Sequence, residues 1–102
     1  MANILVVDDQ DSIRHFLGKA LEDEGHDVST AASGEEGLGI FEQKPIDAVI
    51  LDLKLPGMSG MEVLEQIKSK SKDTIVIMIT AYGEISSAVK AMKKGAFDYI
   101  TK

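Results

Sequence analysis

The chain has 102 residues, with 11 Lys and Arg against 17 Asp and Glu, a net charge of −6 at pH 7, and no Cys or Trp. This length suits one domain, here taken as residues 1–102, that buries about 60–70% of its extended surface, and 44% hydrophobic with 27% charged residues is an ordinary globular balance that excludes wholesale disorder. Lack of Cys excludes a disulfide framework, a zinc ribbon and a thiol nucleophile, and an isoelectric point near 4.8 argues against a free-standing nucleic-acid binder, which neutralises phosphates with clustered Lys and Arg.

The first apolar run, Ile4 to Val7, ends at two Asp and is too short for a signal peptide or a membrane span. Being unbroken rather than alternating, it reads as a strand buried on both faces. Ile13, Phe16, Leu17, Ala20 and Leu21 then recur at helical spacing and stop before Gly25. Residues 28–31 alternate and suit an edge strand. Ser33 with Glu36 opens the second helix as a capping box, although Gly34, Gly37 and Gly39 each disfavour helix by about 1 kcal/mol relative to Ala, so packing must hold it. Residues 48–51 repeat the buried-strand pattern, Ser59 with Glu62 opens a third helix, and residues 75–79 form another buried strand. Ile85, Ala88, Val89 and Met92 give a fourth apolar stripe before Gly95, and residues 97–100 suit a last edge strand. Five strands alternating with four helices form an α/β fold. A closed eightfold barrel does not fit in this length, which leaves an open, doubly wound parallel sheet whose ligands sit beyond the carboxyl ends of its strands.

Those ends carry Asp8, Asp9, Asp52, Thr80 and the final Lys102. Each alone has a plain explanation: the first two acids as helix caps, Thr80 as a strand-end hydroxyl, Lys102 as a frayed terminus. Asp52 shifts the balance, because it follows a fully apolar strand and precedes the loop Leu55-Pro56-Gly57-Met58-Ser59-Gly60. Three converging carboxylates repel one another and raise at least one pKa unless a cation joins them. Oxygen ligands of this kind suit Mg²⁺, which prefers one or two carboxylates plus phosphate and water. The set fits phosphoryl transfer to a carboxylate, with Asp52 as nucleophile and the metal and Lys102 offsetting charge on the phosphoryl oxygens.

Val6-Val7-Asp8-Asp9, Leu51-Asp52-Leu53-Lys54-Leu55-Pro56-Gly57-Met58-Ser59-Gly60, Ile79-Thr80-Ala81-Tyr82 and Gly95-Ala96-Phe97-Asp98-Tyr99-Ile100-Thr101-Lys102 together resemble the receiver domain of bacterial two-component response regulators. The resemblance spans the chain and implies a flavodoxin-like sheet of strand order 2-1-3-4-5. It implies that Asp52 accepts a phosphoryl group from the phosphohistidine of a sensor histidine kinase, that Asp8 and Asp9 hold Mg²⁺ with Asp52 and the Lys54 carbonyl, and that Thr80 and Lys102 contact the phosphoryl oxygens. Thr80 and Tyr99 would form the switch, small Ala81 would leave room for the phosphoryl group, and the Lys54 and Tyr82 side chains would bear on the lifetime of the aspartyl phosphate. Such a domain is a cytoplasmic signalling protein rather than a turnover enzyme; it touches neither nucleic acid nor membrane directly and pairs with a kinase, with an output domain absent from this chain and, in some cases, with a second copy. The run from Ala91 to Tyr99 is similar to receivers of NtrC-like transcriptional activators.

The family normally continues with Lys-Pro and a fifth helix, so the chain is expected to be truncated before that helix. Two consequences are expected: apolar strand surface left open around Val49 and Ile77, promoting association, and a terminal carboxylate on Lys102 competing for its ammonium. His15, off the apolar stripe, and His26, in a turn, read as solvated surface residues; Met58, Met61, Met78 and Met92 read as core or loop fillers. Lys90, Lys93 and Lys94 read as a solvated basic helix end, or as a partner-contact surface in the resembled family. Among rival functions, a haloacid-dehalogenase-type phosphohydrolase needs a second Asp where Lys54 stands. A flavin site is disfavoured because Asp8-Asp9-Gln10-Asp11 would repel phosphate. An interaction module that is never phosphorylated remains the main alternative.

Overall fold

Residues 1–81 and 85–102 are described by the structure, a computed structural model, with the backbone but not the side chain of Ile85. Tyr82 and the Ile85 side chain, both named above, lie outside the described residues. In chain order the elements are β1 (Asn3–Val7), α1 (Asp11–Asp23), β2 (Asp27–Ala31), α2 (Gly34–Gln43), β3 (Ala48–Asp52), α3 (Gly60–Lys70), β4 (Ile75–Thr80), α4 (Ile85–Lys93) and β5 (Asp98–Thr101). The strands form one parallel sheet in the order β2-β1-β3-β4-β5, as expected. Among the described residues, no helix is long and apolar enough to cross a membrane.

The unbroken apolar runs are buried because helices cover both sheet faces at the centre. Leu5, Val7, Val49, Leu51, Val76 and Met78 share one face and pack with Leu38 of α2, Val63, Leu64 and Ile67 of α3 and Ala91 of α4 in a single core. Ile4 and Val6, pointing the other way, are buried on the side that α1 covers. The expectation of open surface around Val49 is wrong: Val49 is fully buried because it points with Leu51 into the α3 side. Ile77 has the opposite parity and is half-buried.

Two helix stripes are also corrected. Phe16 is 68% exposed although it lies on the α1 stripe. The helix packs chiefly on β2 and β1, so Ile13, Leu17 and Leu21 are partly covered while a residue at the stripe's margin stays in water. In α4, Val89 and Met92 are exposed and Ala91 is fully buried; among the described side chains of this helix, a small one rather than these larger ones meets the core. His26 is not simply solvated, for its Nδ1 accepts a hydrogen bond from the Ala2 amide at 3.1 Å; His15 is exposed as expected. Met78 is core, Met58 and Met61 pack against it, and Lys94 pairs with Glu65 of α3 at 3.1 Å.

The capping boxes divide. Ser59 and Glu62 satisfy each other's backbone amides at the start of α3, whereas Ser33 accepts from the Glu36 amide at 3.1 Å while the Glu36 carboxylate turns to the Ala32 amide. The glycines of α2 are explained by close approach: a Cβ on Gly37 would lie 2.8 Å from a Val7 methyl, and one on Gly34 would lie 2.6 Å from a Val63 methyl. These positions set the distance between α2, β1 and α3, and tertiary packing outweighs their low helix propensity. Gly39 has nothing within 4 Å of a built Cβ. Gly39→Ala is therefore expected to stabilise the fold by up to about 1 kcal/mol, while Gly37→Ala destabilises it by pushing α2 off β1; chemical denaturation midpoints with unchanged slope would check both.

Candidate functional site

Parallel register brings the polar strand ends together. Val7 pairs with Leu51, so the next residues, Asp8 and Asp52, stand side by side on neighbouring strands and share the face of Val6 and Ile50. Asp52 pairs with Ile79 and Thr80 with Thr101, which places Thr80 and Lys102 at the same edge. Asp8 and Thr80 are fully buried and Asp52 is 4% exposed, whereas Asp9 is exposed. One carboxylate oxygen from each of Asp8, Asp9 and Asp52 lies within 4.8 Å of the others.

Lys102 is not frayed. Its amide donates to the Thr80 carbonyl at 2.7 Å, and its side chain reaches across β4. There Nζ lies 2.9 Å from Asp8 Oδ2, 3.5 Å from Asp52 Oδ2 and 3.2 Å from Gln10 Oε1. Asp8 Oδ2 is buried without an aligned hydrogen-bond donor, so its contact with the ammonium is an ion pair. The other oxygens are held by the turns: Asp8 Oδ1 accepts from the Gln10 amide at 2.9 Å, and Asp52 Oδ1 from the Lys54 amide at 3.3 Å.

Two further constraints position the acids. Arg14, one turn into α1, donates to the Asp8 carbonyl at 2.6 Å and also pairs with Asp11, clamping the β1–α1 turn. At the other side, Gly60 brings the start of α3 directly against the Asp52 carbonyl, where any Cβ would collide with backbone, and its amide donates to Leu53 at 3.1 Å. Asp9, Gln10, Asp52, Lys54, Ala81 and Lys102 line a cavity of about 190 Å³. A wider groove of about 530 Å³ between α1 and β2 lies away from these acids.

The expected residues thus divide by position. Asp8, Asp9, Asp52 and Lys102 converge; Ala81 and Lys54 line the cavity, Lys54 with an exposed side chain and a backbone amide on Asp52. Thr80 is buried at the end of β4, and Tyr99 sits on β5 opposite Met78, half-buried against the core and away from the cavity. Reading Asp8 and Asp9 as caps fails, since the α1 cap position is Gln10. Gln10 and Arg14 were missed. The Asp11-to-Arg14 spacing signalled a local ion pair, but nothing in sequence showed Arg14 reaching the Asp8 carbonyl or Gln10 reaching Lys102.

Burial raises the Asp52 pKa, and the Asp8 charge raises it further; Lys102 and the Lys54 amide offset only part of this. Burial opposes the Lys102 charge, but contacts with Asp8 and Asp52 outweigh it and raise its pKa. Three carboxylates face a single ammonium, a formal excess of two negative charges. A buried carboxylate oxygen with no aligned donor and an uncompensated charge of this size both fit a hard divalent cation.

Residues 4–102 match the response regulator receiver domain. The chain belongs to that family. It is 42% identical over 104 residues to a putative response regulator NtrX-like from Rickettsia bellii, covering all of this chain and 22% of that protein; the receiver domain thus spans about a fifth of that relative's length. A receiver domain protein from Clostridium thermocellum has a TM-score of 0.94 and 43% identity, covering 100% of this chain and 82% of that one. The response regulator TrrA from Thermotoga maritima, solved in complex with Mg²⁺-BeF, has a TM-score of 0.90 and 42% identity, covering 100% and 87% respectively.

The raised Asp52 pKa fixes the sign of one prediction for the receiver domain. Between the unfolded and folded pKa values the native state binds more protons, so ionisation of Asp52 lowers stability as pH rises. Asp52→Asn is expected to raise the melting temperature of the metal-free protein at pH 7, where about 1 kcal/mol corresponds to roughly 4–8 °C. The gain should shrink as pH falls through the folded pKa and reach its floor below 3.8; calorimetry from pH 7 to 3 would check it.

Proposed function

We propose that this receiver domain is a phosphoacceptor switch in which Asp52 takes a phosphoryl group from the phosphohistidine of a sensor histidine kinase. The reading is carried by one observation: Asp52 is a buried carboxylate flanked by Asp8 and the Lys102 ammonium at the wall of a cavity of about 190 Å³. Asp8, Asp9 and Asp52, with the carbonyl of Lys54, would hold Mg²⁺, which when bound supplies charge neutralisation for the phosphoryl oxygens. An Asp52 oxygen forms the new O–P bond as the N–P bond of the donor breaks and its imidazole leaves. The Lys54 amide and Lys102 orient the Asp52 carboxylate, and Lys102 then offsets charge on the transferred group.

Thr80 follows by bonding the phosphoryl oxygens, and Tyr99 turns further inward beside it, reshaping α4 and β5. Support for this comes from register: Tyr99 opposes Met78, and Thr80 opposes Thr101, so the two switch residues occupy adjoining strands. The domain is a signalling component and not a turnover enzyme, acting in the cytoplasm on transcription through an output domain and, when activated, through pairing with a second copy.

Intact-mass measurement after incubation with a small acyl phosphate tests the proposal. One phosphoryl group should be gained in the presence of Mg²⁺ and lost in Asp52→Asn, and Lys102→Met should slow the gain by about 10²-fold, the scale for removing one transition-state charge partner. A folded chain that gains nothing would leave the non-phosphorylated interaction module as the better reading.

A further inference from the structure

Lys102 holds more than the two buried acids. Its ammonium has three N–H donors and three oxygen neighbours, Asp8 Oδ2 at 2.9 Å, Gln10 Oε1 at 3.2 Å and Asp52 Oδ2 at 3.5 Å. Gln10 differs from the other two. It is uncharged, exposed, and sits at the α1 cap position without capping the helix through its side chain. Its amide instead turns across the cavity to a lysine 92 residues away in sequence.

The three acceptors differ in what else competes for them. Asp8 offers one carboxylate oxygen to the cluster that fits a divalent cation, so a cation held there would compete with Lys102 for the Asp8 carboxylate. An ammonium left in a partly buried cavity without a replacement acceptor would be held on Asp8 against the incoming cation. Gln10 supplies a replacement that a cation in the cluster does not claim, since a neutral amide is a weaker ligand for it than three carboxylates.

We propose that Gln10 is a positioning residue for Lys102: it takes the ammonium as a divalent cation displaces it from Asp8, and keeps it at the mouth of the cavity beside Asp52. This rests on the metal-binding part of the function proposed above and extends it to a residue outside the acidic set. The rest of the β1–α1 turn is fixed by the Arg14 clamp on the Asp8 carbonyl, so truncation at Gln10 removes the amide without loosening the acids.

A double-mutant cycle on Mg²⁺ affinity, measured by titration calorimetry with Gln10→Leu, Lys102→Met and the pair, tests it. Gln10→Leu should weaken Mg²⁺ binding about threefold in the parent, and have no effect once Lys102 is Met, because the competitor is gone. In the metal-free state, the ε-methylene resonance of ¹³C-labelled Lys102 should shift in Gln10→Leu, while the Arg14 and Asp8 backbone resonances stay in place. Equal weakening in both backgrounds, or an unchanged Lys102 resonance, would overturn the assignment. Gln10→Ala repeats the cycle without an added exposed apolar side chain. No phosphoryl donor enters the cycle, so a failure to phosphorylate Asp52 would be distinguishable from a failure of this coupling.

Discussion

The burial of two like charges side by side is the constraint on which the rest of this structure turns. Parallel register sets Asp8 and Asp52 on neighbouring strands, each at the end of an apolar run that helices cover on both sides. In such surroundings the repulsion between carboxylates is poorly screened, and it adds to burial, the larger cause, in raising the pKa of Asp52. Several nearby polar contacts answer that charge: the Gln10 and Lys54 amides, the Lys102 ammonium, and an arrangement of oxygens suited to a divalent cation. The site is therefore costly to the resting fold, and a cation held among these acids would offset that cost.

Glycine makes this tightness possible where side chains would forbid it. Gly37 seats α2 on β1, and Gly60 seats the start of α3 on the Asp52 carbonyl. The acids thus stand on strands whose neighbours have little freedom to withdraw, and preorganisation of the cavity is a property of the packing as much as of the polar residues.

Much of the architecture was legible in the chain because it depends on patterns that local physics enforces. Unbroken apolar runs marked the buried strands, Ser59 with Glu62 marked the start of α3, and polar residues following strand ends marked the site. The parts that were not legible depend on how elements sit relative to one another. Phe16 and Met92 have the right spacing for buried stripes, yet the axis of each helix leaves them in water. Val49 and Ile77 read alike as apolar strand residues, and only the pleat sends one into the core and the other to the opposite face. Gln10 and Arg14 carry no signal of their own, since each acts through a tertiary contact with a residue that sequence reading had already singled out.

The reach of Lys102 has a consequence for the edge of the sheet. In β5, Asp98, Ile100 and Thr101 are exposed, and among the described residues the strand pairs with β4 alone. So little apolar burial makes it a natural unit for local opening, with a free energy well below that of global unfolding. At its end, however, Lys102 crosses β4 to clasp the acids at the ends of β3 and β1. The opening equilibrium of the edge strand is thereby tied to the charge state of the sheet's centre: a ligand held in the acidic cluster would change the grip on this lysine, and the amide-exchange protection of β5 would report it from a distance.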